Sequence, residues 1–242
     1  MRLVVINPNT TAAMTAMISD AARSVARADA EIVAVTAAMG PESIESHYDE
    51  ALAVPGVLDA IATHPGADGY LLACFGDPGL DAARELAHAP VLGIAEAGMH
   101  LAAPLGRGFS VVTTLSRTIG HARDLVDHYG FAVQCLGIHA CEIPVLELDS
   151  RPDAADILAK ACVQALADDR SDAILLGCAG MADLAQQVSA QIGAPVIDGV
   201  AAGVGMLSAM AAMGLRTGTS SGEFASPPPK RYTGVLRDWG VS

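Results

Sequence analysis

Residues 67–80 read ADGYLLACFGDPGL, and residues 171–184 read SDAILLGCAGMADL. Six of the fourteen aligned positions are identical, and one of the six is a cysteine, Cys74 over Cys178. Each copy is an unbroken apolar run, then a thiol, then a turn of small residues. Such a run is what a strand buried on both faces of a parallel sheet requires. A chain that carries this unit twice, 104 positions apart, is constrained to be two related halves.

The remaining strand signals fit the same division. Strands are expected at 2–7, 31–37, 69–74 and 90–94, and again at 109–114, 132–138, 172–178 and 195–199. The tripeptide APV stands at 89–91 and at 194–196 and sets the register between the copies. Helical patterns fall at 10–27, 48–62 and 78–86, and the second half has an added helix at 152–167. Strands alternating with helices imply parallel sheets covered on both faces. The expected fold is therefore α/β: two similar subdomains, each a four-stranded parallel sheet flanked by helices. A pseudo-twofold axis relates them, and the active site lies between them. The boundaries are 1–105, 106–215 and a tail at 216–242, with the last helix a candidate to pack back on the first subdomain. The tail stretch SSGEFASPPPKRYTG (220–234) is rich in Pro and Gly and reads as an extended arm or a partly disordered segment. The competing reading is an arm wrapped on a partner subunit.

Composition narrows the function. Apolar residues make up 52% and charged residues 17%, so the chain can bury a large core and is not a disordered polymer. The net charge of -13 argues against nucleic acid and against an anionic membrane surface, both of which need clustered Lys and Arg. No run is long enough to span a bilayer. The opening MRLVVINPNT reads as a first strand rather than a signal peptide, and the expected compartment is the cytoplasm. The five cysteines are odd in number and contain no CxxC, so free thiols are expected rather than a disulfide framework or a zinc site.

In open α/β sheets ligands bind beyond the carboxyl ends of the strands. Cys74 and Cys178 sit at that end, and a dyad between the halves would bring them to one cleft from opposite sides. Racemising a carbon needs a base on one face and an acid on the other. A thiolate and a thiol can fill these roles and exchange them for the opposite enantiomer. The turns after each cysteine could supply backbone N–H groups for a thiolate or an enolate oxygen. Cys135, Cys141 and Cys162 have no counterparts in the other half and are read as inert packing residues. The seven histidines show no metal spacing. His121 and His128 are expected to face solvent, whereas His47 and His139 are candidates for the cleft and for support behind it. GVAAGVG (199–205) has the wrong order and spacing for a dinucleotide fingerprint.

Four motifs, NPNT (7–10), ACFGDPGL (73–80), VTT (111–113) and LGCAGM (176–181), resemble the aspartate/glutamate/hydantoin racemase superfamily, most closely its hydantoin and allantoin branch. The resemblance runs from Met1 to about residue 215. It implies racemisation by Cys74 and Cys178 with no cofactor and no metal, in a homo-oligomer acting on a small molecule. It further implies that Asn9, Ser43, Thr113 and Thr114 bind substrate. Phe75, Gly76, Ala179 and Gly180 would give backbone N–H groups and pocket walls. Amino-acid racemases of the superfamily usually have a polar residue after each cysteine. Here Phe75-Gly76 and Ala179-Gly180 follow, and no Arg or Lys lies in the motifs apart from nearby Arg117, which reads equally as a surface residue. That pattern favours a neutral cyclic ureide, allantoin or a 5-substituted hydantoin. An amino-acid racemase and a non-catalytic small-molecule binder are the alternatives.

Overall fold

The structure, a computed structural model, describes residues 1–242 except 221, 238 and 240–242. It contains two four-stranded parallel sheets. The first has the order β2-β1-β3-β4, built from Arg2–Asn7 (β1), Glu31–Thr36 (β2), Gly69–Leu72 (β3) and Val91–Gly93 (β4). The second repeats it as β6-β5-β7-β8, from Phe109–Thr113 (β5), Cys135–Ala140 (β6), Ala173–Leu176 (β7) and Val196–Ile197 (β8). β3 and β7 are buried at every residue, as their uninterrupted apolar sequences require. β6 begins three residues later than the sequence pattern places it. Residues 131–134 close a turn instead, with Gln134 N–H and Cys135 N–H both donating to the Phe131 carbonyl.

The helices are α1 (Ala12–Val25), α2 (His47–Thr63), α3 (Leu80–Leu86), α4 (Ile94–Ala102), α5 (Ile119–His128), α6 (Ala154–Asp169), α7 (Ala185–Ile192) and α8 (Gly199–Ala212). None of the described helices is long and apolar enough to cross a membrane. α2 starts at a reciprocal cap. Ser46 Oγ accepts the Asp49 N–H at 3.2 Å and donates to the Asp49 carboxylate at 2.7 Å.

Two helices are exchanged between the halves. α4 follows the first sheet but packs on β7 of the second, whereas α8 follows the second sheet and packs on β3 of the first. Glycines make both approaches possible. A Cβ on Gly98 would lie 2.5 Å from Leu175 Cδ1, and one on Gly203 would lie 2.3 Å from Leu71 Cδ1. The APV register puts Gly98 over Gly203, and the cysteine register puts Leu71 over Leu175. The two contacts are therefore pseudo-symmetry equivalents. One apolar cluster consequently contains Leu71 and Leu175 together with residues of α1, α4 and α8, and it joins the subdomains into a single frame.

The tail runs along its own first half. Thr217 Oγ1 donates to the Ala89 carbonyl at 2.8 Å, and the Arg84 guanidinium stands 5.7 Å from the Phe224 ring centroid.

Candidate active site

The two cysteine loops share one backbone design. The ladder extends one residue past each central strand, with Ala73 N–H donating to the Ile6 carbonyl and Gly177 N–H to the Val112 carbonyl, both at 2.8 Å. Cys74 and Cys178 come next, each two residues beyond the strand end. Each cysteine carbonyl then accepts from the residue three positions on, Asp77 at 3.0 Å and Met181 at 3.2 Å. After Cys178 the chain continues directly into the 3-10 turns Ala179–Leu184.

Both cysteines line one cavity between the sheet ends, with an empty volume of about 580 Å³ that includes its open mouth. Of the expected binding residues, Asn9, Phe75, Gly76, Thr113, Thr114 and Ala179 line it as well. Ser43 and Gly180 do not. Ile44, next to Ser43, turns into the cavity in its place. Gly180 acts one step back, with its N–H directed at the Cys178 sulfur, as the N–H of Gly76 is directed at Cys74. Among the described residues the N–H groups of Phe75 and Ala179 have no protein acceptor, which leaves one donor beside each cysteine for a ligand.

The side chains behind the thiols are tied down. Asn7 Nδ2 donates to Asn9 Oδ1 at 2.8 Å and to Thr15 Oγ1 at 3.0 Å, fixing the amide of Asn9. Asn9 Oδ1 also accepts the Thr11 N–H. The Asn9 amide N–H group meets only Met14 Sδ, at 3.0 Å, a weak acceptor that a carbonyl oxygen would outcompete. Thr113 Oγ1 donates to the Gly177 carbonyl at 3.2 Å and lies 3.1 Å from Thr118 Oγ1, so its hydroxyl braces the second cysteine loop.

Burial dominates the thiol chemistry. It pushes Cys178 up to about 12 and Cys74 higher still, against the pull of the Gly180 and Gly76 N–H groups. A charge on Cys178 and the carboxylate of Glu50 raise Cys74 further. Burial thus favours the thiol form of both residues, and the charge of one thiolate disfavours a second.

Two wall residues lie outside the sequence motifs. Glu50 Oε1 is 3.0 Å from His121 Nε2, and His121 also reaches the Gly76 carbonyl at 3.3 Å. The hydrogen bond to Glu50 raises the His121 pKa. The expectation that His121 faces solvent is overturned: its side chain is 24% exposed and lines the cavity, whereas His128 is exposed. The first turn of α5 meets α2 of the other half, a contact that spacing along one helix cannot reveal. The signal available in sequence was ESHYDE itself, a capped helix start with Glu50 on its first turn. His47 is 77% exposed and stands outside the lining. His139 pairs with Asp169 at 2.7 Å and is also outside it. Arg117 is exposed, and the lining contains no Arg or Lys.

Comparison with known proteins finds relatives along nearly the whole chain. The family model described as Asp/Glu/Hydantoin racemase matches residues 3–207. A hydantoin racemase of Pseudomonas sp. (strain NS671) is 45% identical over 243 residues, covering 99% of this chain and 97% of that one. The solved allantoin racemase from Klebsiella pneumoniae is 48% identical, with a TM-score of 0.95 and 99% of each chain covered. That from Pseudomonas fluorescens is 36% identical, with a TM-score of 0.93 and 97% and 100% covered.

Proposed function

The chain belongs to the Asp/Glu/hydantoin racemase family and is a racemase, and we propose that its substrate is a cyclic ureide, allantoin or a 5-substituted hydantoin. The observation that carries this reading is one cavity lined by two cysteines in equivalent loops and by no Arg or Lys.

One thiolate removes the proton from the ring carbon, and the electron pair passes onto the neighbouring carbonyl as an enolate. The opposing thiol then delivers its proton to the other face and becomes the thiolate. Atoms and charge balance, and the protein ends with the roles of Cys74 and Cys178 exchanged. The free N–H groups of Phe75 and Ala179 suit a developing enolate oxygen or the imide edge. The Asn9 amide and the hydroxyl of Thr114 offer further polar contacts to the ring. The carboxylate of a free amino acid would face Glu50 with no Arg or Lys to receive it, which disfavours the amino-acid reading. No cofactor enters this scheme. Assembly as a homo-oligomer belongs to the same proposal, and light scattering tests it.

Proton NMR in D2O tests the chemistry. Single enantiomers of allantoin and of 5-benzylhydantoin are incubated with enzyme, and the ring C–H signal is followed against an enzyme-free control. Accelerated loss is expected with the parent, and interconversion of the enantiomers should fall at least ~100-fold in Cys74→Ser and in Cys178→Ser, because each variant keeps its thiol on one face only. Either variant racemising at the parent rate would sink that mechanism. No exchange on either ureide by folded parent protein would sink the substrate class.

A further inference from the structure

His47 and Glu50 occupy the first turn of α2 in the first half, and His121 occupies the first turn of α5 in the second. One ligand atom from each of the three lies within 4.8 Å of the others. Glu50 Oε2 is 3.8 Å from His47 Nδ1, and Glu50 Oε1 is 3.0 Å from His121 Nε2. The Gly76 carbonyl, 3.3 Å from His121 Nε2, borders the same space. We infer that His47, Glu50 and His121 form a binding site for a divalent transition-metal ion at the mouth of the cavity, clamping the two halves together.

The donor set selects the class of ion. Two imidazoles and one carboxylate suit nickel, copper or zinc, whereas calcium and magnesium prefer all-oxygen shells. Donors ~2.1 Å from such an ion stand ~3.4 Å apart when tetrahedral. His121 Nε2 and His47 Nδ1 stand 3.0 and 3.8 Å from different oxygens of Glu50, and one donor atom from each of the three residues lies within 4.8 Å of the other two, so small side-chain rotations would close the set on one ion. The three donors come from two helices whose relation is set by the packing of the halves, so the site is partly assembled before any ion arrives. Sequence spacing conceals it, because His47 and His121 are 74 residues apart.

The position gives the ion a consequence. Glu50 and His121 line the cavity, and the Gly76 carbonyl belongs to the loop that carries Cys74. An ion here would hold the first turn of α2 against that of α5 across the mouth and obstruct the passage of substrate. The site is thus an inhibitory clamp and takes no part in the proton transfers.

Titration calorimetry with nickel(II) on the full chain tests the site. The Cys74→Ser/Cys178→Ser double variant removes the two thiols that line the same cavity. One nickel per chain is expected, with affinity lowered ~10-fold or more by adding His47→Gln or His121→Gln, since even supporting partners of metal ligands carry such factors. No binding, or binding unchanged by His47→Gln, would overturn the site. Exchange assays on the otherwise intact enzyme test the clamp. His47→Gln lies outside the cavity lining and should keep the activity without nickel while losing inhibition by it. Nickel that binds at the three residues and leaves the rate unchanged would overturn the clamp while leaving the racemase reading intact.

Discussion

Tyr129, from the second half, donates its hydroxyl to the buried carboxylate of Asp77, 2.8 Å away in the loop that carries Cys74. Asp77 also accepts the N–H groups of Ala95 and Glu96 at 3.1 and 3.0 Å, so it caps α4 from a distance. It fills the space above Gly93, where a Cβ would stand 2.0 Å from its Cγ. In the other half the residue matching Gly93 is Asp198, which caps α8 directly through Val200 and Ala201. The same helix-capping need is thus met by two different residues, and only the first solution ties a cysteine loop to the opposite subdomain.

Replacing Asp77 by Asn leaves one oxygen where two accept, and the fold should lose about 1–3 kcal/mol. Tyr129→Phe removes a single bond and should cost about 1 kcal/mol. Burial raises Asp77 from 3.8 to about 7, outweighing its three donors. A carboxyl raised in the fold retains its proton when the unfolded chain has lost it. Its contribution to stability therefore falls as pH rises between about 4 and 7, and levels off above that. Calorimetric Tm values across this window should show the advantage of the parent over Asp77→Asn shrinking with pH. An advantage that stays flat above about pH 5 would mean that the carboxylate is ionised throughout.

The exchanged helices predict a matched pair of effects. Gly98→Ala drives a methyl into Leu175, and Gly203→Ala drives one into Leu71. Each should destabilise by about 1–3 kcal/mol through overpacking. Because the contacts are equivalent, chemical denaturation should give similar losses. A loss at only one site would show that the two interfaces do not share the same tolerance.

Glycines in the two cysteine loops should differ in their response. A Cβ on Gly76 would meet Glu50 Oε1 at 2.1 Å, the far end of a flexible side chain. Gly76→Ala should leave Tm nearly unchanged while displacing Glu50 and raising KM. A Cβ on Gly180 would meet Leu148 Cδ1 at 3.0 Å and would stand 3.6 Å from the Cys178 sulfur. Gly180→Ala should therefore leave KM close to the parent value. Steady-state kinetics on a ureide separates the two, and an unchanged KM in Gly76→Ala would remove Glu50 from any part in binding.

The raised thiols set the pH dependence of turnover. Burial raises both cysteines, and the competent form needs one thiolate. kcat/KM should then rise about tenfold per unit between about pH 6 and 9, with no plateau. Polarimetric initial rates check this. A plateau near neutrality would show that a thiolate is already formed in the free enzyme.

The repeated strand–cysteine–turn unit made much of the molecule legible before folding. Apolar runs report burial on both faces, so β3 and β7 and the thiols beyond them could be read directly, as could the two parallel sheets. Local pattern also placed α2, expected at 48–62 and found at His47–Thr63. It could not say which sheet α4 would cover, because an apolar helix face records that it is buried and not by what. That choice rests on Gly98 meeting Leu175 across the halves. Nor could it separate Ser43 from Ile44, adjacent residues of which only Ile44 lines the cavity, or bring His121 to Glu50. Sequence alone determined the repeat, the sheets and the position of the two cysteines, since these depend on near-neighbour burial and hydrogen bonding. The last helix was a candidate from sequence to pack back on the first half, as α8 does on β3, but only the tertiary structure decided the cavity wall and the matching placement of α4, since both depend on contacts between segments more than roughly 70 residues apart, whose encounter is set by the packing of the whole core.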